Sequence, residues 1–196
     1  MSAARVAALA CLLGGCSGAT CAGPPPPDTA LPTDAAPASD AAGDAAPGTD
    51  AAPRPVDVLV NELLATNVAT LADEAGEYDD WLELYNTTAG AVDLTGWTIT
   101  DDLGLEVPWP FPAGTTIPGG GFLLLWCDMG AGQGPLHADF RLSSAGETID
   151  LIDPTGAIAD ELAFPPATAD VSWGRLPDGA SAEQELTPPT PGAPNG

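Results

Sequence analysis

The chain has 196 residues, with four basic against 28 acidic side chains and a formal charge of −24. That charge excludes a non-specific nucleic-acid binder, whose affinity comes from cations neutralising phosphates, and it disfavours a polybasic grip on anionic lipid. A 44 % hydrophobic content supplies a core, while 23 glycines and 22 prolines, unevenly spread, mark stretches that cannot join it.

The first element is an address. Arg5 precedes an apolar run from Val6 to Leu13, followed by Gly14-Gly15-Cys16. This is the charged start, short apolar middle and small-residue exit of a secretory signal over residues 1–15, too short to span a bilayer as a mature helix. Leu13-Gly14-Gly15-Cys16 resembles a bacterial lipobox, which predicts lipid attachment at Cys16 and makes the membrane a partner through the N-terminal lipid. Three acyl chains exceed the two signals that stable anchoring requires. If the organism has an outer membrane, Ser17 after the cysteine resembles the pattern sorted to it. The alternative is ordinary secretory cleavage near Thr20-Cys21-Ala22.

The second element, residues 16–55, is a linker. Between Pro24 and Pro55 lie nine prolines, ten alanines and five aspartates in 32 residues, with Leu31 the sole bulky aliphatic. Such a segment cannot offset the entropy of ordering itself, so the expectation is a disordered, charge-extended stalk. At about 3.1 Å per residue its reach is up to ~100 Å.

Residues 56–196 carry the folded unit. Alternation and glycine-proline punctuation dominate, with a helix-like stretch only around Asn67 to Glu74. The predicted strands are 56–64, 81–86, 92–100, 122–127, 140–143, 147–152, 158–164 and 171–174. Asp153-Pro154-Thr155-Gly156 has the residues of a type I turn and closes a hairpin. A β-bulge at Gly96 would return Val92, Leu94, Trp97 and Ile99 to one core. Phe122 to Cys127 is apolar on both faces and reads as a central strand. Short antiparallel strands at this spacing predict an all-β, immunoglobulin-like antiparallel β-sandwich.

The succession Asn61-Glu62-Leu63, Gly76-Glu77-Tyr78-Asp79-Asp80-Trp81-Leu82-Glu83-Leu84-Tyr85-Asn86, Val92-Asp93-Leu94-Thr95-Gly96-Trp97 and Thr100-Asp101-Asp102 resembles the lamin-tail domain. Trp109-Pro110-Phe111-Pro112, Leu136-His137-Ala138-Asp139-Phe140, Gly146-Glu147 and Val171-Ser172-Trp173-Gly174-Arg175 continue the resemblance, which runs to Pro188–Asn195. It implies the same sandwich, and bacterial relatives look like accessory modules of secreted or surface proteins, sometimes beside hydrolases. Animal relatives form the tail of nuclear lamins and contact chromatin; the surplus of acids over Arg141 and Arg175 departs from that role.

Catalytic signals are thin. His137, the single histidine, lacks a recognisable nucleophile motif around Ser143, Ser144 or Ser172 and reads as a hydrogen-bonded strand residue. Cys127 reads as a small buried hydrophobe, with a disulfide to Cys21 as the alternative. The expectation is a non-catalytic binding or structural module whose partner is a protein or glycan of the envelope; the competing classes are a calcium-dependent surface adhesin and an accessory domain of a hydrolase system.

No cofactor is required by these residues, and calcium is the one candidate. Asp73, Glu74, Glu77, Asp79 and Asp80 crowd a loop turned by Gly76, offering the hard oxygens calcium takes, without the spacing of an EF-hand; the competing reading is a solvated acidic loop. Trp81, Glu83 and Tyr85 fall on the face opposite Leu82 and Leu84, with Glu62 on the neighbouring strand. They form either a ligand surface for sugar or peptide, or a covered site in which Glu83 bonds backbone amides. Asp160 interrupts the alternation of Ile158, Leu162 and Phe164 and calls for a cation, so Arg175 is predicted to pair bidentately with Asp160 or Glu147.

Overall fold

The computed structural model describes residues 56–104, 107–130 and 132–196. The signal segment, Cys16, Cys21 and the 16–55 linker lie outside the described residues.

Twelve strands follow one another without an intervening helix among the described residues: β1 (Val58–Leu64), β2 (Trp81–Asn86), β3 (Val92–Asp93), β4 (Thr98–Thr100), β5 (Trp109–Pro110), β6 (Thr116–Ile117), β7 (Phe122–Cys127), β8 (His137–Ala138), β9 (Glu147–Ile152), β10 (Ile158–Phe164), β11 (Ser172–Arg175) and β12 (Glu183–Leu186). They form a six-stranded sheet, β12-β11-β1-β2-β7-β8, a four-stranded sheet, β10-β9-β4-β5, and the small pair β3-β6. Pairing is antiparallel except for β7 with β8. The domain is an immunoglobulin-like β-sandwich. Its core joins Val58, Val60, Leu63, Leu82, Leu84 and Leu125 of the large sheet to Ile99, Ile149, Leu151 and Leu162 of the small one.

β1 is buried along its whole length. A register shift between Val60 and Glu62 inserts one residue against β2, so inward parity passes from Val58 and Val60 to Leu63. Glu62 and Leu64 are thereby turned to the outer face. There Leu64, Trp81 and Trp126 make a second apolar cluster, flanked by Leu71 and Leu124. The large sheet is therefore buried on both sides at this end, and polar groups on its outer face need partners from the chain itself.

Several expectations change. No helix forms over Asn67–Glu74: Asn67 Oδ1 accepts from Thr70 N (3.1 Å), and its Nδ2 donates to Leu71 O (2.6 Å) and Asp79 O (2.8 Å), diverting the backbone into a loop. Residues 92–100 are not one bulged strand. Trp97 N bonds Leu94 O at 3.0 Å with Gly96 at φ +84°; that turn, open to glycine because it lacks Cβ, carries the chain from β3 to β4 in a different sheet. Leu94 and Ile99 both still reach the core. β7 is central only in part, since just Trp126 and Cys127 have β8 as a second neighbour. Residues 140–143 form no strand; Arg141 makes an isolated bridge with Asp128. The 153–156 turn does close the β9–β10 hairpin, with Gly156 N on Asp153 O at 2.9 Å.

Candidate functional site

Two acidic sites lie against the large sheet. The first covers its outer face. Glu62 and Glu83 are register partners on β1 and β2, and both are fully buried. Glu62 accepts from Ser172 Oγ, from Thr190 N (3.0 Å) and from Thr190 Oγ1 (2.9 Å). Glu83 accepts from Gly192 N through Oε2, while its Oε1 has no partner. Burial first, then the nearby Glu62 and Asp178 carboxylates, push the Glu83 carboxyl up to about 8, so at neutral pH it holds its proton.

The C-terminal segment is thus a strap over the sheet. Asn195 Nδ2 donates to Arg175 O (2.9 Å), and its N donates to Asp178 Oδ1 (2.9 Å). Glu62, Trp81, Glu83 and Tyr85 are consequently not an open ligand surface. The first three are sealed, and Tyr85 stacks on Phe122 at 5.0 Å. Between the two sheets Arg175 Nη2 of β11 meets Asp160 Oδ1 and Oδ2 of β10 at 3.1 and 3.3 Å, while Glu147 instead accepts from Ser143 N at 2.7 Å. One nitrogen faces both oxygens, so the pair is not a two-nitrogen fork. The other guanidinium nitrogens serve Val60 O (2.9 Å) and Ala180 O (3.0 Å). Asp160 Oδ2 also accepts from Val60 N (2.8 Å); burial nevertheless raises its carboxyl, outweighing the Arg175 charge.

The second site joins the loop before β2 to the β7–β8 corner. Asp73 Oδ1 accepts from Ala75 N (2.9 Å) and Glu77 N (2.7 Å), which folds the acids of the loop inward. Donor atoms of Asp73, Glu77 and Asp79 converge within 4.8 Å, and so do those of Asp73, Asp128 and His137. Glu77 Oε2 is held by Gln133 Nε2. Asp128 takes Gly130 N on Oδ1 (2.6 Å) and His137 Nδ1 on Oδ2 (2.7 Å), while His137 Nε2 meets Glu74 Oε1 at 3.0 Å. Burial alone would lower the His137 pKa, but its hydrogen bonds to the two carboxylates prevail and raise it.

Burial, then the Asp128, Glu77 and Asp73 charges, raises Asp79. Glu74 is exposed and held low, first by a backbone hydrogen bond and then by His137. Asp80 stands apart: Oδ1 accepts from Asn67 N at 3.4 Å, and burial pushes its carboxyl to about 6.

Of the five loop acids, then, three converge, and one of these, Asp73, also converges with two residues from elsewhere. His137 is the buried, hydrogen-bonded strand residue the sequence suggests. Its place beside the loop, and that of Asp128, escaped the sequence because the parallel β7–β8 pairing that delivers them leaves no periodic signal. Among the described residues, the ring nitrogens of His137 contact only Asp128 and Glu74, so no nucleophile–base pair forms there. Cys127, a free thiol, is buried, and burial raises its pKa well above the ordinary value, the opposite of an activated nucleophile.

Fold and sites together define an immunoglobulin-like module whose polar groups are built into the sheet. The lamin tail domain family model matches residues 51–165, more than half of the chain, and the protein belongs to that family. The match ends just past β10, although β11 and β12 extend the same large sheet. A search of curated proteins found no match.

Proposed function

We propose that the protein is a non-catalytic binding or structural module, anchored in the cell envelope by lipid on Cys16 and held off the membrane by the 16–55 linker. One observation carries the reading: a signal-like segment, a lipobox-like cysteine and a proline-alanine-aspartate tether precede a β-sandwich that closes its own outer face. The strap over Glu62 and Glu83 removes the sheet face as a substrate cleft, leaving loops and sheet edges for an envelope protein or glycan. Neither the low basic content nor the acidic loop suits nucleic acid.

Mass spectrometry of the native N-terminus tests the anchor. The expected product begins at Cys16 and carries diacylglycerol with an N-acyl chain. A product retaining Met1, or one starting at Cys16 or Ala22 without fatty acid, overturns it. Cross-linking in intact envelopes followed by mass spectrometry then identifies the partner, and the cross-links should fall on loops and sheet edges rather than beneath the strap.

A further inference from the structure

Asp73 is 8 % exposed, and its Oδ2 is sealed from solvent with no hydrogen-bond partner. Asp79 Oδ2 is in the same state. A buried carboxylate oxygen without a donor is costly, and here two stand in one cluster among further acids. Since Asp73 belongs to both convergent sets, with Glu77 and Asp79 and with Asp128 and His137, it is the point where the loop before β2 meets the β7–β8 corner.

We propose that Asp73 is the centre of a calcium site, with Glu77, Asp79 and Asp128 as further oxygen ligands and His137 as the residue that orients Asp128. The spacing suits the ion. Calcium binds oxygens at about 2.3–2.6 Å, so ligands on opposite sides stand up to ~5 Å apart, and the donor atoms of each set lie within 4.8 Å of one another. The donors are hard carboxylates. Both nitrogens of His137 are taken by carboxylates, which favours calcium over zinc, an ion that favours nitrogen and sulfur ligands.

Supporting contacts position the ligands before any ion arrives, as second partners do in metal sites generally. Gln133 holds Glu77 and Gly130 N holds Asp128. The walls are close: a Cβ at Gly130 would lie 2.4 Å from Asp128 Oδ2, and one at Gly134 would lie 2.8 Å from Glu74 Oε1. This set differs from the loop-only set the sequence suggests, because Asp80 and Glu74 give way to Asp128. Its ligands come from segments separated by about fifty residues, so the ion would clamp the loop to the sheet.

The test uses the full-length protein in detergent, stripped with EDTA and titrated with CaCl2 by calorimetry, with MgCl2 and ZnCl2 in parallel. The expected result is one calcium per chain, a dissociation constant of about 10⁻⁵–10⁻³ M, and a rise in melting temperature. Terbium should bind competitively and luminesce on tryptophan excitation, because Trp126 stacks on His137 at 6.3 Å. Asp79→Asn and Asp73→Asn should each weaken calcium at least about tenfold, and Asp80→Asn should not. Should Asp73→Asn fail to fold, since its Oδ1 organises the loop, Asp79→Asn carries the test. Absence of saturable calcium binding overturns the site. So does calcium affinity unchanged by both Asn variants, or zinc binding tighter than calcium and abolished by His137→Gln.

Discussion

The strap and the acidic loop place carboxylates against the same sheet and treat them in opposite ways. Beneath the strap the chain supplies most of the partners, Ser172 and Thr190 for Glu62 and Gly192 N for one oxygen of Glu83, whose other oxygen is unpartnered on a carboxyl that keeps its proton. Between the sheets Arg175 serves Asp160. In the loop the supply stops short, and Asp73 and Asp79 each keep a sealed, unpartnered oxygen. The comparison separates acids that hold the fold from acids that wait for something outside it. Composition cannot separate them, for the acids are of the same kinds; what differs is whether donors from distant strands reach them.

Removing the donor that serves the buried Asp160 between the sheets should give the largest effect. Arg175→Met leaves Asp160 buried without a cation and strips Val60 O and Ala180 O, so urea unfolding should show a loss of about 3–5 kcal/mol. Arg175→Lys keeps the charge but cannot reach all these acceptors, and should fall between the Met variant and wild type. If Arg175→Lys melts within a degree of wild type, the guanidinium geometry is irrelevant to the joining of the two sheets.

Next in size is a pH effect at Glu83. Its carboxyl ionises near 4.5 in the unfolded chain and near 8 in the fold, so between these values unfolding releases a proton and stability falls as pH rises. The contribution is complete below about 4.5 and lost above about 8. At ~1.4 kcal/mol per unit of pKa displacement, the decline across the window is on the order of a few kcal/mol. Glu83→Gln should flatten the stability profile over that range; a decline of the same steepness in the variant would assign it to other groups. A smaller loss, about 1–2 kcal/mol, is expected for Thr190→Val, which deletes one hydrogen bond to a buried carboxylate while keeping the shape.

The sandwich, most of its longer strands and the 153–156 hairpin were legible because alternation and turn chemistry are local. The face shared by Trp81, Glu83 and Tyr85 was legible for the same reason, and so was a covered Glu83 bonding a backbone amide as one of its two readings; the segment that covers it was not. Local pattern leaves Glu83 open as a ligand-binding or a covered acid, and the amide that decides it belongs to Gly192, more than a hundred residues on. The Asp73 cluster fails in the same manner, since Asp128 arrives through pairing at the end of β7. The shift at Asn61 in β1 was invisible for another reason: every residue of that strand is buried, so no alternation remained to lose its phase. Long-range donors, not local pattern, decide what each acid does.

The smallest expected effect has the opposite sign and tests the contrast directly. In chelator-treated protein, Asp79→Asn removes one of several mutually repelling carboxylates and deletes no hydrogen bond made by Oδ2. Thermal unfolding should therefore show a neutral to slightly stabilising change, up to about 1 kcal/mol. The Arg175 and Thr190 substitutions above should destabilise, because each leaves a buried acid short of a donor. A clear loss for Asp79→Asn without calcium would mean that the loop acids, too, are structural, and the division between the two regions would collapse.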